Sequence, residues 1–450
     1  MDKCAFARKK RSDDHRVYGI RENSSGWTDR STGLSGHTVL SITFCDDIFT
    51  SQPQHNPERS QAVNIESINV IPLGYQKDAP VLSRAFALVR IETDSGIIGY
   101  GEASTSYGHF YPTVMKTMVD DILTPMLLGK DPLEIRLRKK EMERYLNPWL
   151  GVNGISAQVI GAMETALWDI KGKALGVPIH ELLGGRLVDA IPLYMTGSTF
   201  PEKDAAWHGQ FFDQALELGF VGVKTRIASG ASKDMEQVEG VREHIGPDIK
   251  LMVDAYCNYS VESAIRIARH MGDLDVFWFE EPIPQTWIKG LARLAAASPV
   301  SIAVGERVYS VHQFEELADR NAADYWQPDV TVCGGLLECL EVVGLAKAND
   351  IRVFPHIGGL TAVGQAANMH FASMVDEVIL EYDGSEYQPL RDDILKDPIF
   401  DLDHVKDGKL AIPDGPGLGI EIDESKFEDY PYVPGHIYPD IYPQLGSGTL

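Results

Sequence analysis

The chain has 450 residues, with 65 acidic against 41 basic side chains and a formal net charge of −24 at pH 7. That balance argues against nucleic acid or an anionic membrane surface as partners, and no apolar stretch is long enough to span a bilayer. A hydrophobic content of 44% supplies a sizeable core, and the length exceeds what one barrel needs, so a second domain is expected. In chain order, residues 1–62 are rich in Ser, Asp, Arg and Thr and lack a period; they are expected to be a disordered extension or to reflect a mis-assigned start. From Ile65 the pattern changes. "IESINVIPL" and "FALVRIETDSGIIGYGEA" alternate around an Asp-Ser-Gly turn, as in an antiparallel meander. "PTVMKTMVDDILTPMLL" and "PLEIRLRKKEMERYL" follow with helical patterning.

Beyond residue 188 short apolar runs alternate with helical segments. The runs centre near residues 193, 223, 252, 278, 303, 326, 354 and 380, and segments such as "VESAIRIARHM" and "VHQFEELADR" separate them. Eight strand–helix units at this period predict a (β/α)8 barrel, a TIM-type α/β fold. Several runs end on charge: "VGVKTR" on Lys224 and Arg226, "LMVDAY" on Asp254, "DVFWFEEPIP" on Glu280 and Glu281, and "SIAVGE" on Glu306. "DYWQPD" supplies Asp329, "RVFPHI" His356 and "VILEYD" Glu381. All strand C-termini of such a barrel open onto one mouth, so these residues converge. Asp254, Glu280 and Glu306 are spaced 26 residues apart. Three carboxylates without a Cys or His cluster suit a hard, oxygen-preferring cation, Mg2+, with positions open for water or substrate. The five cysteines, Cys4, Cys45, Cys257, Cys333 and Cys339, show no paired spacing, which favours a reduced, cytoplasmic setting over a disulfide framework.

From Ile65 to Tyr430 the chain resembles the enolase superfamily, and within it the mandelate racemase subgroup. The residues that carry the likeness are "AMETALWDIKGKALGVPIHELLGG", "KTR", "VDAY", "WFEEP", "VGE", "QPDVTVCGG" and "PHIGG". The "DGPGLGIEID" tail and "PHIGG" look most similar to acid-sugar dehydratases and galactarolactone cycloisomerase. The resemblance implies an α+β capping domain built from residues 63–188 and a returning segment 386–435, around a modified barrel over 189–385, with 436–450 as a tail. It also implies a homo-oligomer, commonly an octamer, and a small-molecule carboxylate substrate.

The implied chemistry is removal of the proton α to a carboxylate, with Mg2+ stabilising the enediolate. Enolase-superfamily sites are a well-known case of pKa values tuned for such proton removal. On this likeness Asp254, Glu280 and Glu306 match metal ligands, and Glu281 becomes an outer residue that orients the site, or a loop residue, rather than a ligand. His356 matches the base, oriented by Asp329, while Glu381 matches an acid that hydrogen-bonds the substrate carboxylate. Two departures bear on the reaction. Many relatives have Lys-x-Lys where this chain has Lys224-Thr225-Arg226, and arginine stays protonated in proteins. A two-base racemase is thereby disfavoured, although Lys224 remains a substitute base. Tyr256 stands where relatives often have Asn, either touching substrate or packing. Tyr107 and His109, in "STSYGHFYP", are candidates for specificity at the mouth or are exposed loop residues.

The expected activity is dehydration of a sugar acid to a 2-keto-3-deoxy acid, with a cycloisomerase or a racemase/epimerase as the alternative. A catalytically silent barrel kept for binding is the reading of a different class; the intact set from Asp254 to His356 counts against it.

Overall fold

The computed structural model describes residues 63–77, 82–104, 111–197, 203–227, 229–384 and 388–434. The extension expected over 1–62, the tail 436–450, Tyr107 and His109 lie outside the described residues.

Three antiparallel strands come first: β1 (Ile65–Lys77), β2 (Leu82–Thr93) and β3 (Ile98–Ala103), in that spatial order. Residues Phe86 to Val89 of β2 are all buried, so this central strand does not alternate as the sequence pattern implies. Helices Pro112–Met118 and Ile155–Leu175 both pack on the sheet and leave β2 little contact with water. β3 lies unusually close to the second of these helices. A Cβ on Gly99 or Gly101 would fall 2.2 or 1.8 Å from the carbonyl oxygens of Ala166 and Ala162, so only glycine permits that approach. The helical stretch expected over 112–128 is interrupted by a wide turn, Val119–Leu123, before Thr124–Leu127. Pro125, two residues past that turn, has no N–H with which to continue the helical ladder.

Helix Ile155–Leu175 joins this layer to the rest of the molecule through two buried acids. Glu164 accepts from Leu336 N at 2.7 Å and Trp168 Nε1 at 2.5 Å. It thereby caps the N-terminus of helix Leu336–Ala348, where a negative charge is favoured. Asp169 accepts from Tyr100 N at 3.0 Å and Leu418 N at 2.9 Å. The "METALWD" acids therefore hold the layers together and take no place at the strand ends.

Eight strands form the barrel: β4 (Ala190–Thr196), β5 (Gly222–Arg226), β6 (Lys250–Asp254), β7 (Val276–Glu280), β8 (Ile302–Val304), β9 (Tyr325–Trp326), β10 (Arg352–Val353) and β11 (Leu380–Asp383). They are parallel and follow one another in space, with β11 beside β4. The hydrogen-bonded path ends at β10 and β11, and side chains close the remaining gap. Phe354 and Ile379 share one interior cluster with Tyr194, Met252, Trp278 and Ala303. Trp278 lies 5.2 Å from the Phe354 ring and meets Tyr194 edge-on at 5.4 Å, which gives the barrel a solid aromatic floor. A further strand, β12 (Lys409–Ala411), pairs antiparallel with β4, so part of the C-terminal segment adds to the barrel. Its continuation returns to the first sheet, where Glu424 pairs with Arg90 at 2.8 Å and Pro431 bridges Leu73. Among the described residues no helix is long and apolar enough to cross a membrane.

Candidate active site

Above the aromatic floor the strand ends carry charge. Lys224 and Arg226 lie two apart on β5 and face inward together. Asp254 ends β6 and Glu280 ends β7, opposite one another in register. Glu306, Asp329 and His356 follow β8, β9 and β10, and Glu381 lies on β11. Each of these eight side chains is at most 2% exposed.

The polar contacts knit the cluster across the barrel. Lys224 Nζ lies 2.5 Å from Glu280 Oε1 and 2.9 Å from Glu381 Oε1. Glu280 Oε2 accepts from Trp278 Nε1 at 2.9 Å and Gln327 Nε2 at 2.8 Å. Arg226 reaches Asp254 Oδ2 at 3.5 Å and Glu381 Oε1 at 3.8 Å, with its guanidinium over the Tyr256 ring at 5.3 Å. Tyr256 is buried, in the left-handed region at φ 48°, and its N–H donates to Asp254 Oδ1 at 3.0 Å.

On the opposite side His356 Nδ1 lies 3.0 Å from Asp329 Oδ2, and Nε2 lies 3.0 Å from Glu306 Oε2 and 3.8 Å from Glu381 Oε2. Asp329 caps helix Val330–Cys333, accepting from Thr331 N at 2.8 Å, Thr331 Oγ1 at 2.7 Å and Asn368 Nδ2 at 3.0 Å. Those bonds aim its second oxygen at the imidazole. They also favour the tautomer with Nδ1 protonated and Nε2 facing the cluster.

Five carboxylates (Asp254, Glu280, Glu306, Asp329, Glu381) face two permanent cations, Lys224 and Arg226, and one imidazole. Burial and the neighbouring carboxylates Asp254, Glu381 and Glu306 push Glu280 up to about 7, against the pull of Lys224. Asp254 is likewise raised, by burial and then Glu306. Burial works against the charge on Lys224, but Glu280 and Glu381 outweigh it and hold the ammonium protonated. His356 behaves similarly: burial opposes, yet Glu306 and Asp329 raise it to about 10. The cluster is electron-rich and short of positive charge.

That shortage decides whether a divalent cation fits. Among the described residues no three His, Cys, Asp or Glu side chains stand arranged to hold an ion, with Lys224 lying on Glu280 and His356 on Glu306. The donor chemistry does fit. Asp254, Glu280 and Glu306 offer oxygen alone from three neighbouring strand ends, and Asp254 Oδ2 has no hydrogen-bond partner among the described residues. A hard cation suits such donors and offsets their repulsion.

Sequence reasoning passed over Gln327 and Asn368. Gln327 lies two residues before Asp329, a spacing that signals the same side of the chain; Asn368 sits on helix Ala362–Ala372 with no local signal. A cavity of about 770 Å³ lined by Arg136, Lys139, Arg144, Ser310, Glu338 and Glu341 lies against helix Ile135–Leu150 and contains none of the strand-end residues.

Comparison with known proteins decides the family. The description "Mandelate racemase / muconate lactonizing enzyme, N-terminal domain" matches residues 78–184, and "Enolase C-terminal domain-like" matches residues 209–426. The chain belongs to the mandelate racemase/muconate lactonizing enzyme family of the enolase superfamily. Within this family it is 32% identical to D-galactarolactone cycloisomerase of Agrobacterium fabrum, over 77% of this chain and 91% of that protein. It is 35% identical to arabinonate dehydratase of Saccharolobus solfataricus, over 76% of this chain and 89% of that one. A mandelate racemase/muconate lactonizing protein from Paracoccus denitrificans, crystallised with magnesium, superposes with a TM-score of 0.72 at 27% identity, covering 82% of this chain and 98% of that one. Family relatives thus include both dehydratases and cycloisomerases.

Proposed function

We propose that this family member removes the proton α to the carboxylate of a sugar acid and eliminates the β-hydroxyl, yielding a 2-keto-3-deoxy acid. The observation that carries the reading is His356, tied to Asp329 at Nδ1 while Nε2 faces the carboxylate cluster. With Glu306, the main group that raises the imidazole, turned away from Nε2, the neutral ring takes the α-proton there, and the C–H electron pair passes into the substrate carboxylate as an enediolate. Collapse of that intermediate expels the β-hydroxyl, which leaves as water when His356 returns the proton; the enol then tautomerises to the ketone.

Asp254, Glu280 and Glu306 would hold Mg2+, which when bound supplies Lewis-acid stabilisation of the developing negative charge. The magnesium in the Paracoccus denitrificans protein supports that assignment. Lys224 and Arg226 donate hydrogen bonds to the substrate carboxylate or hydroxyls, and Glu381 shares a proton with the carboxylate. Because arginine stays protonated, and Lys224 is engaged by two carboxylates, neither cation of β5 stands ready as a second base; elimination suits this arrangement better than racemisation. Tyr256, stacked under Arg226, is positioned to border the substrate.

Cycloisomerisation through the same enediolate is the second reading, favoured by the likeness to D-galactarolactone cycloisomerase. Proton NMR in D2O with Mg2+ and a panel of mono- and diacid sugars and their lactones separates the two. Loss of the α-proton with a new deoxy methylene, together with loss of water by mass, marks dehydration. Conversion of a lactone at unchanged mass, with the ring oxygen leaving in place of a hydroxyl, marks the isomerase, and an unreactive panel removes sugar acids as the substrate class.

A further inference from the structure

Glu281, the second acid of the pair that ends β7, is 1% exposed yet does not join the carboxylate cluster. Its φ of 38° lies in the left-handed region, and its backbone is fixed on both sides: its N–H donates to Ala303 O at 3.0 Å and its carbonyl accepts from Cys257 N at 2.7 Å. The turn sends its carboxylate toward Arg307, which ion-pairs with Glu281 Oε2 through Nη1. Nη2 of the same guanidinium lies 2.7 Å from Glu306 Oε1. The other oxygen of Glu306 faces His356 Nε2 at 3.0 Å. One planar fork thus spans two buried carboxylates on neighbouring strand ends, a geometry that lysine cannot reproduce.

We propose that Arg307 is a positioning residue for the metal centre: anchored by Glu281, it fixes the orientation of the Glu306 carboxylate for binding a divalent cation. The inference rests on the ligand set proposed above. Arg307 adds little repulsion toward the ion, because the buried Glu281 carboxylate balances its charge. What it contributes is orientation, and outer partners of metal ligands typically matter by about 10–100-fold in affinity.

The test is the dissociation constant for Mn2+, as a spectroscopic stand-in for Mg2+, measured by electron paramagnetic resonance on the full chain. Circular dichroism checks the fold of each variant. The double variant Arg307→Met with Glu281→Gln removes one charge of each sign, so that orientation alone changes. It is expected to weaken Mn2+ binding by about 10–100-fold. Glu281→Gln alone loosens the anchor of Arg307 and leaves its charge unbalanced beside Glu306, so it is expected to weaken Mn2+ binding as well, by less than the double variant. Arg307→Lys keeps the charge, bridges one carboxylate at a time and is expected to fall between them; it carries the test if the double variant does not fold. Wild-type affinity in the double variant, or in Arg307→Lys where that variant carries the test, overturns the positioning role while leaving the ligand set intact. Failure of the wild type to bind Mn2+ overturns the ligand set and the positioning role together.

Discussion

His356 Nδ1 and Asp329 Oδ2 lie 3.0 Å apart, while the other Asp329 oxygen is held by Thr331 and Asn368. The imidazole orientation is therefore set by a carboxylate that is itself immobilised. Asp329→Asn keeps the shape but lets the amide donate to Nδ1, which shifts the ring proton to Nε2, the atom proposed to accept from substrate. The expected loss in α-proton exchange is on the order of 10³-fold, within the range that acid–base partners supply. Exchange monitored by NMR in D2O checks it, with Mn2+ affinity expected to stay near wild type.

Lys224 sits between Glu280 and Glu381 with all three side chains at 0% exposure. Removing its ammonium leaves two carboxylates facing each other without their cation. Lys224→Met is expected to lower stability by about 3–5 kcal/mol, the range for breaking a buried pair on one side. Urea unfolding in the presence of a chelator measures this without the offsetting effect of a divalent ion.

Asp254 Oδ2 lacks a hydrogen-bond partner among the described residues, with Arg226 Nε 3.5 Å away. If that oxygen serves a cation, Mg2+ stabilises the wild type by linkage, by about 2.7 kcal/mol at a hundredfold excess over its dissociation constant. Asp254→Asn is expected to remove most of that increment. Thermal unfolding with and without Mg2+ provides the comparison.

His370 lies on helix Ala362–Ala372, beside the site, with its Nδ1 3.0 Å from His180 Nδ1. Burial pushes it down to about 3, with His180 and Arg186 acting in the same direction against Leu418 O and Asp414. The unfolded chain thus takes up a proton near pH 6.5 that the folded chain refuses until about pH 3. Stability contributed by neutral His370 is present above pH 6.5 and is lost as pH falls toward 3, at about 1.4 kcal/mol per unit. Urea unfolding from pH 6 to 4 should show a steeper loss for wild type than for His370→Asn by about that slope.

The barrel was legible because each strand is a short apolar run with a charged end, as in Val276–Glu280, and a packed parallel sheet requires apolar residues on both faces. The same ends named Asp254, Glu280, Glu306 and His356, since charge at a barrel mouth has a place to converge. What escaped was whatever depends on distant pairing. β12 joins β4 through backbone hydrogen bonds that "GKLAIP" does not announce. Asn368 reaches Asp329 only because a helix brings it there. Glu281 and Arg307 each stand in sequence beside a strand-end carboxylate, and only the left-handed turn at Glu281 joins them. The buried run Phe86–Val89 departs from alternation for the same reason, since helices from elsewhere in the chain cover the sheet.

The central claim is that His356 moves the α-proton, and the most direct measurement compares deuterium incorporation at Cα by wild type and His356→Asn, in D2O with Mg2+ and a reactive sugar acid. The account predicts exchange by the wild type and its loss by at least about 10³-fold in the variant, with Mn2+ affinity retained. Exchange at an undiminished rate in His356→Asn would contradict it and transfer the proton chemistry to another group in the cluster.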